Sequence, residues 1–364
     1  METKELSFEE WRLEKSKKRA QFVAMQQLPY EVKIRRAEQR AYEFRDEIEK
    51  RGHACHVSIG GLDSITLFLF LQKISIKAPG ISVSGLEDKS IQRVHEQLGI
   101  TKINSYKSKV EVLNSIGFPV ISKKIAGRID VLQHPTEQNK TVRNAIITGQ
   151  CGKQGHYAKF SRMQLPQKWL YLFAGMANAE YGTNYLEAPF KVSNKCCYYL
   201  KEKPCDDWAK KNNSYPYLGL MASEGGQREE SLMEHGCNYY GKTVIRSAPF
   251  ATFLRQDILQ LAIDLKVPVP EIYGEIKRKS DGTLYTTKAQ RTGCTMCGFG
   301  IHMEKRPHRF DRLKESNPKE WTFWMYNCCT DKVTGEKYGW GKVLNYIGVE
   351  WENKFMECEQ LSLF

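Results

Sequence analysis

The first fifty residues show apolar positions at a helical period. Apolar side chains recur every three to five residues from Phe22 to Ile48, with one interruption at Pro29. A proline is tolerated in the first turn of a helix but not in its interior. The pattern therefore predicts two helices within residues 1–50, divided near Pro29.

From residue 52 onward, short apolar runs alternate with amphipathic segments. The expected elements, in chain order, are a strand at 52–59, a turn at 60–64, a helix at 65–74, a strand at 81–84, a helix at 87–98, a strand at 118–121, a helix at 250–265 and a hairpin turning at 280–282. Alternating strands and helices are typical of a parallel sheet covered by helices. We therefore expect an α/β fold with a parallel twisted sheet.

Composition narrows the class of protein. The longest apolar run, Ile65–Leu71, is far short of the ~18 residues of a membrane span, and the charged N-terminus does not resemble a secretory signal. Eleven cysteines in 364 residues are too few for a disulfide scaffold. The sequence thus predicts a cytoplasmic protein without membrane contact. Its thiols would stay reduced there, which directs attention to metal or redox chemistry.

The charge is uneven along the chain. The net charge is +13, and residues 101–200 carry 14 Lys and Arg against 5 Asp and Glu. A basic middle section favours a polyanionic partner, such as a nucleic acid or a phosphorylated substrate. A solvated basic surface without such a partner is the alternative.

A glycine turn follows the first predicted strand. Residues 60–64 read GGLDS and precede the predicted helix. Two glycines allow close approach of an anion, and the start of a helix supplies N–H groups and positive dipole. Ser64 can add a hydroxyl or cap the helix, and Asp63 can cap it or orient Mg²⁺. An ordinary strand-to-helix turn is the alternative.

A second segment matches a phosphate-binding motif only in its letters. Residues 236–243, GCNYYGKT, fit the Walker A pattern. A P-loop requires a strand before the glycines and a helix after the lysine. Here a polar, helical stretch precedes the match and a strand-like stretch follows it, so the match is interpreted as accidental.

The strongest chemical signal is a set of four cysteines. Cys196 and Cys197 are adjacent, and Cys294 and Cys297 form a CxxC pair that begins 97 residues later. Four thiolates are a ligand set for tetrahedral Zn²⁺ or for an iron–sulfur cluster. Simple burial of the thiols is the alternative.

The GGLDS segment resembles the pyrophosphate-binding loop, Ser-Gly-Gly-x-Asp-Ser, of the PP-loop ATP pyrophosphatase superfamily. The first serine of that pattern is replaced by Ile59, with Ser58 one step earlier. This superfamily includes phosphoadenosine phosphosulfate (PAPS) reductases and several sulfurtransferases. The resemblance therefore implies a PP-loop fold and a nucleotide as substrate.

Other segments resemble the PAPS/APS reductase family over roughly residues 50–345, including a phage and bacterial branch. They are the tandem cysteines with Lys201 and Pro204 (Cys-Cys-x-x-x-Lys-x-x-Pro), residues 226–231 (a shortened Gly-x-Arg-x-x-x-Ser), residues 247–257 (Pro-Leu-x-x-Trp-x-x-x-Asp), residues 291–300 (the CxxC end of cluster-bearing members) and residues 117–123. This resemblance implies a [4Fe–4S] cluster held by Cys196, Cys197, Cys294 and Cys297, with Cys237 able to replace one of the tandem pair.

The resemblance also implies the residues that bind ATP and Mg²⁺. The expected nucleotide-binding residues are Ser58, Gly60, Gly61, Leu62, Asp63, Ser64 and Lys123. Asp63 and Arg228 are the expected catalytic residues, with the guanidinium of Arg228 on a phosphate or sulfate oxygen. A surface ion pair with Glu229 or Glu230 is the alternative for Arg228, and a solvated side chain is the alternative for Lys123.

Two chemistries are known on this scaffold. One reduces a sulfonucleotide with a cysteine near the C-terminus, and Cys358 has that position but lacks the Gly-[Leu/Ile]-His that follows in the family. The other releases pyrophosphate from ATP and transfers sulfur, as in DNA phosphorothioation or tRNA thiolation, with a cysteine desulfurase as a possible donor. The retained GGLDS and the basic middle section favour sulfur transfer. Sulfonucleotide reduction and a non-catalytic, zinc-stabilised nucleic-acid-binding or regulatory module are the alternatives.

Three regions are expected along the chain. They are a helical extension at residues 1–50, a nucleotide-binding core at 51–270 and a CxxC-containing region with a tail at 271–364.

Overall fold

The structure is a computed structural model that describes residues 7–150, 163–174 and 188–351. The chain divides into two compact units, and the boundaries differ from those expected at residues 50 and 270. The first unit consists of Met1–Ser105 and Lys201–Thr295, and the second of Tyr106–Leu200 and Met296–Phe364. Each unit is therefore discontinuous in sequence. Cys358 lies outside the described residues.

The described residues form fourteen α-helices and twelve strands. The helices are α1 (Phe8–Gln26), α2 (Tyr30–Lys50), α3 (Leu62–Lys73), α4 (Lys89–Gln97), α5 (Lys109–Ser115), α6 (Lys123–Gln133), α7 (Lys140–Thr148), α8 (Gln167–Phe173), α9 (Lys203–Lys211), α10 (Gly226–His235), α11 (Arg255–Asp264), α12 (Arg309–Ser316), α13 (Pro318–Thr322) and α14 (Trp340–Ile347). The strands are β1 (Ala54–Ser58), β2 (Gly80–Ser82), β3 (Thr101–Lys102), β4 (Val120–Ile121), β5 (Ser214–Leu218), β6 (Asn238–Tyr240), β7 (Ile245–Ser247), β8 (Ile276–Arg278), β9 (Leu284–Thr286), β10 (Gly298–Phe299), β11 (Cys329–Thr330) and β12 (Lys337–Tyr338). None of these helices is both long enough and apolar enough to cross a membrane.

The first unit is built on a six-stranded sheet of order β3-β2-β1-β5-β7-β6. Every neighbouring pair is parallel except β6 and β7. The apolar run predicted as a core helix forms α3, whose Ile65 and Leu67 are fully buried against this sheet with Phe44 of α2. The expectation of an α/β fold with a mainly parallel sheet is confirmed.

The predicted break in the N-terminal helices is confirmed at Pro29. The helix α1 ends at Gln26, and α2 begins at Tyr30. The apolar stripe of α2 packs on the sheet and is buried: Ala37, Ala41, Phe44 and Ile48. At its other end, α1 begins with a capping box in which Ser7 and Glu10 satisfy each other's backbone N–H groups.

The expectation that the strand at 118–121 belongs to the central sheet is wrong. The strand that forms there, β4, pairs in parallel with β10 in the second unit and is not part of the central sheet. The edge of the central sheet is instead Thr101–Lys102, two exposed polar residues without an apolar pattern. The helix predicted from 250 begins only at Arg255, because the Asp257 carboxylate accepts the N–H of Leu254 at 2.6 Å and sets the start of α11 there.

The second unit has a core of its own, rich in aromatic side chains. Trp340 is fully buried and meets Phe118 edge-on, with ring centroids 5.0 Å apart. Gly298 passes so close to that indole that a Cβ at this position would collide with it. Three tryptophans of residues 300–351, Trp321, Trp340 and Trp351, thus belong to this core.

Candidate functional site

The GGLDS segment lies at the carboxyl end of β1, where the strand turns into α3. The helix begins at Leu62 with Gly61 as its N-cap, so Asp63 and Ser64 stand in its first turn. The predicted sequence of strand, glycine turn and helix is confirmed, although the helix begins three residues earlier than expected.

This turn occupies the point where the sheet order reverses. From β1 the chain continues to β2 on one side, and β5 lies on the other side of β1. Ligands of open α/β sheets bind at the carboxyl ends of the strands beside such a point. Gly219, directly after β5, passes close to the start of α3, since a Cβ there would be 2.9 Å from the Cα of Ser64.

Hydrogen bonds of Ser64 and Leu62 stabilise the conformation of the GGLDS turn at the start of α3. The Ser64 hydroxyl donates to the Gly61 carbonyl at 2.9 Å and accepts the N–H of Gly60 at 2.8 Å. The N–H of Leu62 donates to the Tyr273 hydroxyl at 3.1 Å. Within the described residues, the N–H groups of Asp63 and Ser64 donate to no acceptor. Two N–H groups at the positive end of a helix thus remain for an anion.

The carbonyl of Gly60 is held by a buried histidine. The His95 Nε2 lies 2.8 Å from this carbonyl, and Nδ1 lies 2.9 Å from the Ser84 hydroxyl. Burial lowers the pKa of His95, which favours the neutral ring. Because a carbonyl only accepts, Nε2 carries the proton, and Nδ1 accepts from Ser84. No sequence motif predicts this role, since His95 is one position of an amphipathic helix.

The two glycines of the turn differ in what surrounds them. A Cβ on Gly61 would overlap the Tyr273 hydroxyl and come within 2.9 Å of the Thr292 hydroxyl. A Cβ on Gly60 would meet only a Glu87 carboxylate oxygen at 3.7 Å. Gly61 is therefore required by packing, whereas Gly60 leaves an open approach to the backbone.

Asp63 is engaged by an arginine that the sequence analysis missed. The Arg255 guanidinium pairs with the Asp63 carboxylate and donates to the Gln290 carbonyl at 3.0 Å, while its Nε is buried without an acceptor among the described residues. Burial raises the pKa of Asp63, the guanidinium of Arg255 opposes this rise, and the nearby Glu224 carboxylate adds to it. Arg255 opens α11, and no motif marks it.

Arg228 lies beside the same group of charges. It pairs with Glu224, whose side chain is 6% exposed and also contacts Arg291 at 3.3 Å. Arg291 acts electrostatically on Asp63 as well. Two carboxylates and three guanidiniums thus meet near the start of α3, with a surplus of positive charge.

Lys201 adds a further cation in the first unit. Its ammonium pairs with the buried Glu87 carboxylate and makes a hydrogen bond with the Cys294 thiol. Burial lowers the pKa of Lys201, but Cys294 and Glu87 outweigh this effect and raise it above its ordinary value. Lys201 follows the buried Leu200 in a π-helical turn, Tyr198–Glu202. This turn ends before Pro204, which has no backbone N–H to donate to a regular helical hydrogen bond.

Lys123 and three of the four expected cysteine ligands belong to the second unit, not to the unit that contains the GGLDS turn. Lys123 is the first residue of α6 in the second unit. Cys294 belongs to the first unit, whereas Cys196, Cys197 and Cys297 belong to the second. In the described ranges, no group of three or more His, Cys, Asp or Glu side chains is arranged to hold a metal ion. The expected cluster ligands are thus divided between the two units, and the iron–sulfur cluster stays a prediction.

The accidental nature of the Walker A match is confirmed by the fold. Residues 238–247 form the antiparallel hairpin of β6 and β7, and Lys242 is exposed in its turn.

We expect Lys242→Ala to leave both ATP affinity and thermal stability unchanged, because this side chain lies neither in a core nor beside a helix start. Isothermal titration with ATP measures the first and a thermal melt the second. A loss of ATP binding in this variant would instead identify the hairpin as the nucleotide site.

The chain matches no family model, no curated protein and no solved structure.

Proposed function

We propose that the first unit binds the triphosphate of ATP at the β1–α3 turn and releases pyrophosphate. The supporting observation is that the N–H groups of Asp63 and Ser64 donate to no acceptor in the described part of the chain. They lie where the strand order of the sheet reverses, next to the accessible backbone of Gly60. The surrounding arginines supply the positive charge that a polyphosphate requires. This assignment makes the chain a PP-loop ATP pyrophosphatase.

Each residue of the turn has a role in this proposal. The N–H groups of the turn hold phosphate oxygens, and Ser64 fixes the shape of the turn through its two hydrogen bonds. Arg291 and Arg228 neutralise the charge that develops on the leaving pyrophosphate. Arg255 is a positioning residue, since it orients the Asp63 carboxylate.

The carboxylate of Asp63 fits a magnesium ion that arrives with ATP. Mg²⁺ is commonly held by one or two protein carboxylates, with phosphate oxygens and water as its other ligands. When bound, the ion neutralises phosphate charge. The proposed reaction contains no step on the iron–sulfur cluster, whose four expected cysteine ligands are divided between the two units.

The reaction we propose is adenylation followed by sulfur transfer. An oxygen of the acceptor attacks the α-phosphorus, the bond to the β-phosphate breaks, and pyrophosphate leaves with the electron pair. The terminal sulfur of a persulfide then attacks the acceptor and displaces AMP, and a thiol reductant cleaves the S–S bond that remains, leaving sulfur on the acceptor and forming a disulfide. The basic surplus of residues 101–200 supports a nucleic acid as the acceptor, and a cysteine desulfurase suits the need for a sulfur donor.

A nucleotide screen tests this proposal. The anaerobically purified protein is incubated with ATP and Mg²⁺, with and without DNA or tRNA, and pyrophosphate is measured. Release of pyrophosphate that depends on ATP supports the proposal. Release of sulfite from PAPS or APS with a thiol reductant, in place of pyrophosphate from ATP, would identify a sulfonucleotide reductase. Nucleic-acid binding with no turnover of either nucleotide would identify a binding module, and metal analysis of the same preparation distinguishes iron from zinc.

The pH profile tests whether Arg255 acts through Asp63. The Asp63 carboxylate must be ionised for the reaction, and burial raises its pKa. The rate of pyrophosphate release is therefore expected to fall as the pH is lowered. Removing Arg255 takes away the charge that opposes this rise. The acid limb of Arg255→Met should therefore move to higher pH. Arg93→Met, which breaks an exposed pair with Glu271, is the control and should leave the limb in place. An unmoved limb in Arg255→Met would show that Arg255 does not act through this carboxylate.

A further inference from the structure

A two-stranded ribbon in the first unit has no role in the reaction described above. Its strands, β8 and β9, pair antiparallel, with Lys277 opposite Tyr285 and Arg278 opposite Leu284. Successive side chains of a strand point to opposite faces of a sheet. The pair of Lys277 and Tyr285 therefore lies on one face of the ribbon, and the pair of Arg278 and Leu284 lies on the other.

The face with Leu284 packs on α11. Leu284 is 5% exposed, and the Gln256 side-chain amide donates to its carbonyl at 2.8 Å and accepts its N–H at 2.7 Å. On the same face the Arg278 guanidinium donates to the side-chain carbonyl of Gln260, also in α11, at 2.9 Å. These contacts fix the ribbon to the first unit and leave its opposite face towards solvent.

The opposite face carries a tyrosine beside two lysines. Lys277 and Lys279 are exposed, and Tyr285 is half-buried. The Lys279 ammonium lies over the Tyr285 ring, 5.6 Å from its centroid. Lys277 pairs with the exposed Glu275 at 3.1 Å, and solvent screens a pair of this kind. This surface, formed by Lys277, Lys279 and Tyr285, is called the outer face below.

The ribbon is basic and begins next to the GGLDS turn. Residues 275–291 contain five Lys and Arg against two Asp and Glu. At the base of the ribbon the Lys288 N–H donates to the Tyr273 carbonyl at 3.0 Å, and the Tyr273 hydroxyl accepts the N–H of Leu62 in the turn. Lys277 is four residues from Tyr273, so at most about 14 Å separate their Cα atoms. The outer face therefore lies close to the proposed ATP site.

The chemistry of the outer face matches a single strand of nucleic acid. Bases of a single strand stack on accessible aromatic rings, and neighbouring lysines bind its phosphates. A duplex offers no base to the tyrosine, because its bases are stacked on one another. We propose that the outer face binds a single-stranded nucleic acid, an inference that rests on the nucleic-acid acceptor proposed above. Tyr285 stacks on a base, and the ammonium of Lys279 moves from the ring to a phosphate.

Fluorescence anisotropy with a labelled single-stranded oligothymidine, in the absence of ATP, tests the proposal. Tyr285→Ala should weaken binding at least about fivefold, the usual loss for one base–aromatic stack, whereas Tyr285→Phe keeps the ring and should keep the affinity. Lys279→Gln should reduce the slope of log affinity against log salt by about 0.7. Lys77→Gln is the matched control and should change neither quantity, because Lys77 is exposed before β2, at the amino end of the sheet.

Three results would overturn the proposal. The first is a native affinity and salt slope in both Tyr285→Ala and Lys279→Gln. The second is a native chain that does not bind the strand, and the third is one that binds the duplex with oligoadenosine more tightly than the single strand. Lys279 is exposed, so Lys279→Gln decides the matter even where Tyr285→Ala fails to fold.

Titration of the same variants with ATP separates this proposal from the ATP site. The outer face contributes no residue to the β1–α3 turn, so ATP affinity should be native in Tyr285→Ala and Lys279→Gln. Native ATP affinity together with undiminished binding of the strand in both variants would contradict only the role of the ribbon. A chain that binds the strand through Tyr285 but releases no pyrophosphate from ATP would contradict only the proposed reaction.

Discussion

Replacing Asp63 with alanine is expected to reduce pyrophosphate release from ATP by at least about a hundredfold, the usual scale for removing one preorganised charged group at a reacting phosphate. The carboxylate stands in the first turn of α3, half-buried and paired with Arg255, where the proposal places magnesium and the phosphates. The fold should persist, since Asp63 contributes no apolar contact to the core. Single-turnover release of pyrophosphate with saturating ATP measures the effect.

The control for this experiment is Asp46→Ala. Asp46 is an exposed carboxylate of α2 that pairs with the neighbouring Arg45, so it matches the change in charge without touching the site. Full activity in Asp63→Ala, with Asp46→Ala also active, would contradict the proposed role of the turn. A variant that binds ATP normally but does not release pyrophosphate would place the role of Asp63 in the chemical step.

Substituting the two glycines of the turn should separate packing from binding. Gly61→Ala puts a Cβ against Tyr273 and Thr292, and we expect a destabilisation of about 1–3 kcal/mol, as for other overpacked sites. Gly60→Ala meets only an oxygen at 3.7 Å, so its stability should stay near that of the native chain. Its methyl group nevertheless fills the approach to the backbone, so ATP affinity should fall at least tenfold.

Chemical denaturation and ATP titration of both variants check this contrast. The informative result is a Gly60→Ala chain with native stability and weakened ATP binding. If Gly60→Ala binds ATP as the native chain does, phosphate does not approach the backbone at Gly60. If Gly61→Ala is as stable as the native chain, the contact with Tyr273 is not a constraint on the turn.

The turn and its flanking elements could be predicted because their signals are local. A buried apolar strand, two adjacent glycines and a strongly apolar helix lie within about twenty residues, and periodicity alone orders them. The edge strand Thr101–Lys102 could not be predicted, since two exposed polar residues carry no pattern. It is a strand because β2 beside it offers backbone partners.

The partners of the site residues could not be predicted, because they are remote in sequence. Arg255 is 192 positions from Asp63, and nothing in the intervening chain indicates that they meet. The cysteines show the opposite problem. Their spacing is typical of a ligand set, yet spacing alone cannot decide whether four thiols of two different units converge.

The interleaving of the two units sets the order in which they can be completed during synthesis. The long pairing of β1 with β5 begins by joining Ala54 to Ser214, so 160 residues must be added after Ala54 before this pairing can start. At about 5–20 residues per second, β1 would wait about 8–30 s on the ribosome with the backbone N–H and C=O groups of one edge unpaired. The second unit cannot close first, because β4 needs β10, which is made later still. Nascent chains of this protein are therefore expected to require a holding chaperone.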